Sequence, residues 1–190
     1  MDRIRAYQIL TSLIKNPNLI KHHLAAEAAM REIARVLKEK ADPTIDIDDW
    51  GLVGLLHDAD YEQSKDKPEE HTLILEREIG NQVKPEIMQA IKCHNRANNN
   101  IEPKSLMDWA IYTCDELTGF IIASALVHPE KKLSALTVDF ILNRMKEPSF
   151  AKTVDRNQIK MCEEKLGIPL SEYIEIVLRS MQNILDQLGL

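Results

Sequence analysis

Residues 16–40 read NPNLIKHHLAAEAAMREIARVLKEK, and this stretch decides the fold class. Ala26, Met30, Ile33 and Leu37 recur at spacings of three and four, which is the period of one helix face. Asn16 is a suitable N-cap, and Pro17 sits in the first turn, where its missing N–H leaves no gap in the hydrogen-bond ladder. Ala41-Asp42-Pro43 then ends the helix.

The same pattern extends in both directions. Upstream, Asp2 to Ile14 places Ile4, Ile9, Leu10, Leu13 and Ile14 broadly on one side. Downstream, the acidic cluster Asp46 to Asp49 suits a helix N-terminus, and the helix it opens carries Trp50, Leu52, Val53, Leu55 and Leu56 up to His57-Asp58. Tyr61 to Lys67 reads as a loop, and Pro68-Glu69-Glu70 opens a helix containing His71, Leu73, Ile74 and Ile79, with Gly80-Asn81 as its C-cap. Pro85 starts a short helix through Ile87, Met88, Ile91 and His94, followed by a solvated loop from Arg96 to Asn100. Ser105 caps a long apolar helix to about His128, interrupted by Asp115-Glu116. From Leu133 to Leu190 about three more amphipathic helices are expected, broken at Pro148 and at Gly167-Ile168-Pro169. Alternating strand patterns are almost absent, so the expected fold is all-α, a single-domain helical bundle over residues 1–190 with no repeat or linker to divide it.

The 190 residues should bury roughly 70% of the unfolded surface, so a core forms without staples and any metal serves function. Hydrophobic residues at 44% and charged ones at 28% exclude a disordered or low-complexity chain. Three cysteines, Cys93, Cys114 and Cys162, make a disulfide framework improbable and suit a reducing compartment. With 24 Lys+Arg against 30 Asp+Glu, the net charge of −6 argues against the broad basic surface of a nonspecific nucleic-acid binder. The sequence shows no signal peptide and no apolar run approaching the ~20 residues of a membrane span, so the expected location is cytoplasmic.

Five of the six histidines, His22, His23, His57, His71 and His94, fall in the first half of the chain on otherwise apolar stretches. Imidazole and carboxylate together form the ligand set of Zn, Fe, Mn or Ni. Asp58 follows Leu55-Leu56-His57 at the inner end of an apolar helix, where it either caps the turn before Tyr61 or meets a cation. Asp115 lies between Trp109-Ala110-Ile111-Tyr112-Thr113-Cys114 and Leu117-Thr118-Gly119-Phe120, and a carboxylate buried there needs a cation or donors. His22 and His23 point about 100° apart on a helix, and periodicity does not choose between them.

These residues resemble the HD-domain metal-dependent phosphohydrolases, whose pattern is a His, then His-Asp, then a distant Asp, from different helices of one bundle. The matching elements are Lys21-His22-His23-Leu24-Ala25, Gly54-Leu55-Leu56-His57-Asp58 and Cys114-Asp115-Glu116-Leu117-Thr118-Gly119. His71 and His94 stand where two-metal members add histidines, and Ser149-Phe150-Ala151 with Gly167-Ile168-Pro169-Leu170 is similar to small bacterial HDIG-type proteins. The resemblance implies a metal-site core over about residues 18–128 and C-terminal helices over about 133–190. Its His-x-Leu-Ala order selects His22 as the ligand and leaves His23 to packing or support.

By the same resemblance, His22, His57, Asp58 and Asp115 would hold one divalent ion, and Asp58, His71 and His94 a second, with Asp58 shared. The metals would be Mn, Fe, Mg, Zn or Ni, and a metal-bridging hydroxide would attack a phosphate ester or nucleotide. The implied partner is thus a small phosphorylated substrate. Many members carry a Lys shortly after His-Asp, whereas this chain reads His57-Asp58-Ala59-Asp60-Tyr61-Glu62, so contact with substrate phosphate is either unfilled or passes to Arg96, Lys92 or Lys65. Asp60 and Glu116 are candidates to orient an imidazole or take a proton. Cys93 and Cys114 are expected to be inert packing residues. Two other readings fit the same residues: a di-iron oxygenase on this scaffold, and an inactive metal- or nucleotide-binding helical module.

Overall fold

A computed structural model describes residues 1–189. Helix α1 spans Arg3–Leu13, α2 Pro17–Lys40 and α3 Ile47–Leu56. Helix α4 spans Leu73–Ile79, α5 Pro85–His94 and α6 Leu106–Val127. The C-terminal part holds α7 Val138–Met145, α8 Arg156–Leu166 and α9 Leu170–Gln182. The described residues contain no strand, so the fold is all-α.

Local chemistry sets the boundaries. The side chains of Asp2, Asn16, Asp46 and Asp155 accept backbone N–H groups at the starts of α1, α2, α3 and α8. Ser105 and Asp108 form a reciprocal capping box at the start of α6. Gly167, with φ of 67°, ends α8 in the left-handed conformation, and Pro169 precedes α9.

Helix α2 is the central post. It packs most extensively on α3, then on α9 and α6, while α6 lies against α5 and α8. One continuous apolar core runs from Ala6 in α1 through Met30, Leu56, Ile91 and Phe120 to Tyr173 and Leu188. Gly54 lets α3 approach the α2 backbone, and Gly51 leaves room for the Arg31 side chain. A Cβ on Gly54 would lie 2.5 Å from the Ala26 carbonyl oxygen, and one on Gly51 2.5 Å from the Arg31 guanidinium. That close crossing carries His57, the residue after α3, toward the second turn of α2.

Three segments differ from expectation. Tyr61–Ser64 is a helical turn rather than loop. Pro68–Glu70 forms a 3-10 turn, but the helix expected through His71 is interrupted there, and Thr72 takes φ of 73° before α4 begins. The cause is the buried Asp60 carboxylate, which accepts the backbone N–H of Thr72 at 3.1 Å and of Leu75 at 2.9 Å and draws the chain inward. Arg96–Asn99, expected as solvated loop, is a further short turn behind the buried Asn95. Helix α6 corrects a fourth point, because it is long and apolar enough by composition to cross a membrane. More than half of that stretch is buried within the protein, as suits a bundle's core helix.

Candidate metal centre

Four elements and one irregular segment converge at one end of the α2–α3 crossing. His22 comes from the second turn of α2, His57 and Asp58 from the end of α3, and Asp115 from the middle of α6. His94 is the last residue of α5, and His71 occupies the break before α4. The structure therefore brings together all six of the histidines and aspartates that the sequence singled out as ligands.

Their atoms form two groups that share Asp58. Oδ1 of Asp58 lies 2.9 Å from His71 Nε2 and 3.0 Å from His94 Nε2, and those nitrogens are 3.1 Å apart. Oδ2 of Asp58 lies 3.7 Å from both His22 Nε2 and His57 Nε2, which are 3.1 Å apart. Asp115 adds Oδ1 at 3.0 Å from His22 and 3.4 Å from His57. Donors held about 2.1 Å from a common ion stand roughly 3.0–3.4 Å apart at right-angled to tetrahedral geometry. Most of these separations fall in that range, so the buried His and Asp groups could hold a metal ion.

The opposite edges of the imidazoles fix their direction. His57 Nδ1–H donates to the Gly54 carbonyl at 2.9 Å, His94 Nδ1–H to Ile91 at 2.5 Å, and His71 Nδ1 meets Asp60 Oδ1 at 2.7 Å. A neutral ring whose Nδ1 carries the proton turns a bare lone pair on Nε2 toward the centre. His71 Nε2, His94 Nε2 and Asp58 Oδ1 are then three acceptors in mutual contact, and they repel unless a proton or a metal cation sits among them. The electrostatics point the same way. Burial disfavours a charged His57, yet Asp58 and Asp115 outweigh it and raise its pKa to about 9. Burial likewise opposes charge on His71, and Asp58 and Asp60 raise it to about 9. Both Asp58 and Asp115 resist the desolvation of burial and stay well below the usual carboxylate range, Asp58 through His57, His71 and His94, and Asp115 through His22 and His57.

The supporting residues separate into distinct roles. Asp60, fully buried, orients His71, as one of its two expected roles required. Glu116 contacts no imidazole in this arrangement; its Oε2 accepts the Asp155 N–H at 3.0 Å and fastens the loop before α8. Asn95 donates to the carbonyls of Pro68 and His71 and holds the irregular segment, a role with no signal in the sequence beyond its position after His94. His23 belongs to neither group, is fully buried beside the His57 ring, and neither ring nitrogen has a hydrogen-bond partner. Desolvation, reinforced by His57 and only partly offset by Asp58, pushes its pKa well down. The thiols of Cys93 and Cys114 are buried and pushed upward by desolvation, as inert packing residues should be.

A cleft of about 570 Å³ opens onto the centre, lined by His22, Asp58 and Asp115 together with Leu19, Tyr61, Glu116, Gly119, Thr153 and Val154. Beyond Tyr61, a smaller cavity of about 190 Å³ reaches His71 and is bordered by Lys65, Asn95 and Asn98. Lys92 and Arg96 border neither space. Lys92 Nζ pairs with Glu76 at 2.6 Å, and Arg96 pairs with Glu102 at 3.2 Å while stacking over Tyr112. Of the three basic candidates, only Lys65 faces a cavity at the centre. An apolar cavity of similar size, about 580 Å³ beside Trp50, Leu106 and Met107, lies away from the cluster. The chain matches no protein-family model, no curated protein and no solved structure.

Proposed function

We propose that this chain is a divalent-metal-dependent phosphohydrolase of the HD-domain type, acting on a small phosphate ester or nucleotide. The observation that carries the reading is the division of Asp58, whose two oxygens face two separate pairs of imidazole nitrogens. Such a carboxylate suits two neighbouring dications, which repel unless an anion lies between them. His22, His57 and Asp115 would complete one position, and His71 and His94 the other. Divalent ions held there supply a water acidified toward neutrality and neutralise charge on phosphoryl oxygens.

The protein's own contribution is orientation. The carbonyls of Gly54 and Ile91 keep Nδ1 of His57 and His94 protonated, so Nε2 faces inward. Asp60 does the same for His71 and increases its basicity. Lys65, bordering the cavity beside His71, supplies a side-chain cation for a phosphate oxygen.

The test is elemental analysis of protein purified without added metal, followed by assay of that sample against phosphomonoesters, phosphodiesters and nucleotides. The expected result is about two divalent ions per chain and release of phosphate or a phosphomonoester. Metal-free protein that refuses Mn²⁺ or Mg²⁺, or an iron-loaded protein that consumes O₂ and hydrolyses nothing, would overturn the reading.

A further inference from the structure

Gly119 lies inside α6, where helix propensity favours alanine over glycine. At Gly54 packing explains the missing side chain, because a Cβ would strike the α2 backbone. At Gly119 packing does not, because a Cβ there would meet nothing within 4 Å. Its φ is not in the left-handed range, so the backbone does not demand glycine either. What Gly119 does border is the cleft, one turn beyond Asp115 on the same helix face. Helical side chains lean toward the N-terminus, so any side chain at position 119 would lie over Asp115 and narrow the approach to the centre.

The wall facing Gly119 is held firmly. The Arg156 guanidinium donates to the carbonyls of Met145, Glu147, Phe150, Ala151 and Val154, which fixes the loop that presents Thr153 and Val154. The remaining walls are Leu19, Tyr61 and the Glu116 carboxyl. No Lys or Arg lines this cleft, and Lys65 is on the far side of Tyr61.

We propose that Gly119 is a specificity-determining residue that keeps open a subsite for the organic part of a phosphomonoester, and that this part carries no further negative charge. The inference rests on the phosphohydrolase reading and goes beyond it by naming the side of the centre that takes the alcohol. A nucleoside monophosphate fits these walls, because its one phosphate is met at the centre. A triphosphate places its extra phosphates along walls without a cation and beside Glu116.

The test uses metal-replete full-length protein as wild type, Gly119→Ala and Gly119→Leu, with metal content measured for each. Readouts are KM for a nucleoside 5′-monophosphate, kcat/KM for the corresponding triphosphate, and the inhibition constant of inorganic phosphate. Wild type should favour the monophosphate about tenfold or more in kcat/KM, about 1.4 kcal/mol. Gly119→Leu should raise KM for the monophosphate about tenfold while inhibition by inorganic phosphate changes by less than about threefold and metal content holds. Gly119→Ala should move KM in the same direction by less and melt at higher temperature than wild type. A parallel change in KM and phosphate inhibition, no change in KM, or a preference for the triphosphate overturns the inference while leaving the hydrolase reading intact. Metal-loaded protein that neither binds inorganic phosphate nor releases it overturns both.

Discussion

The two sides of the candidate metal centre are built differently. On the Asp115 side the contributors sit on or directly beside the three helices α2, α3 and α6, and their positions follow from close helix crossings. On the His71 side the chain is irregular, with a 3-10 turn, a left-handed Thr72 and a helix end, all tied by the buried Asp60 and Asn95. Regular helices position side chains through packing over a large area. The irregular side instead depends on a few buried hydrogen bonds, so single substitutions there should act locally.

Substitution of the shared residue erases the distinction. Asp58→Ala should remove both ions and hydrolysis together, and metal analysis that still finds two ions per chain would contradict the shared position. Next in size, Asp60→Ala strands the N–H groups of Thr72 and Leu75 and frees His71. It should destabilise the protein by about 2–4 kcal/mol in denaturant melts and weaken only the His71-side ion by about 10–100-fold. Equal loss of both ions would show that the sides are not independent.

Gly54→Ala probes the helical side, where the added Cβ collides with the α2 backbone. Unfolding should become easier by about 1–3 kcal/mol, and the ion facing His22 and His57 should bind more weakly than the other. The smallest effect is expected at His23, whose ring lies tilted against that of His57 at a centroid distance of 5.2 Å but has no polar partner. His23→Leu should leave metal content unchanged and raise stability by about 1 kcal/mol by removing a buried unpartnered imidazole. Loss of one ion there would mean that His23 takes part in the centre.

The same contrast governs what the sequence made legible. Spacing alone located α2 from Pro17 to Lys40 and α5 from Pro85 to His94, because caps and apolar period are local signals. His57, Asp58 and Asp115 stood out as polar residues in apolar helices. The break at His71 was not legible, since Pro68-Glu69-Glu70 begins like a helix and Asp60, which interrupts it, lies 11 residues before His71. Lys92 and Arg96 read as phosphate contacts from their nearness to His94 in sequence, yet each is turned toward an acidic partner, Glu76 or Glu102. Gly119 was visible as a residue, but its open surroundings were not.

By itself the sequence determined an all-α chain, the extent of most of its helices and a set of imidazoles and carboxylates suited to divalent metal. Helix periodicity left His22 and His23 open and only the resemblance favoured His22; the tertiary structure sets His22 beside Asp58, and it alone decided that Asp58 divides its oxygens between two groups and that the cleft runs past Gly119. The reason is physical. Helix periodicity records which face is buried, a property of near neighbours, whereas convergence of side chains depends on how closely α3 crosses α2 and on where a buried carboxylate such as Asp60 finds its donors.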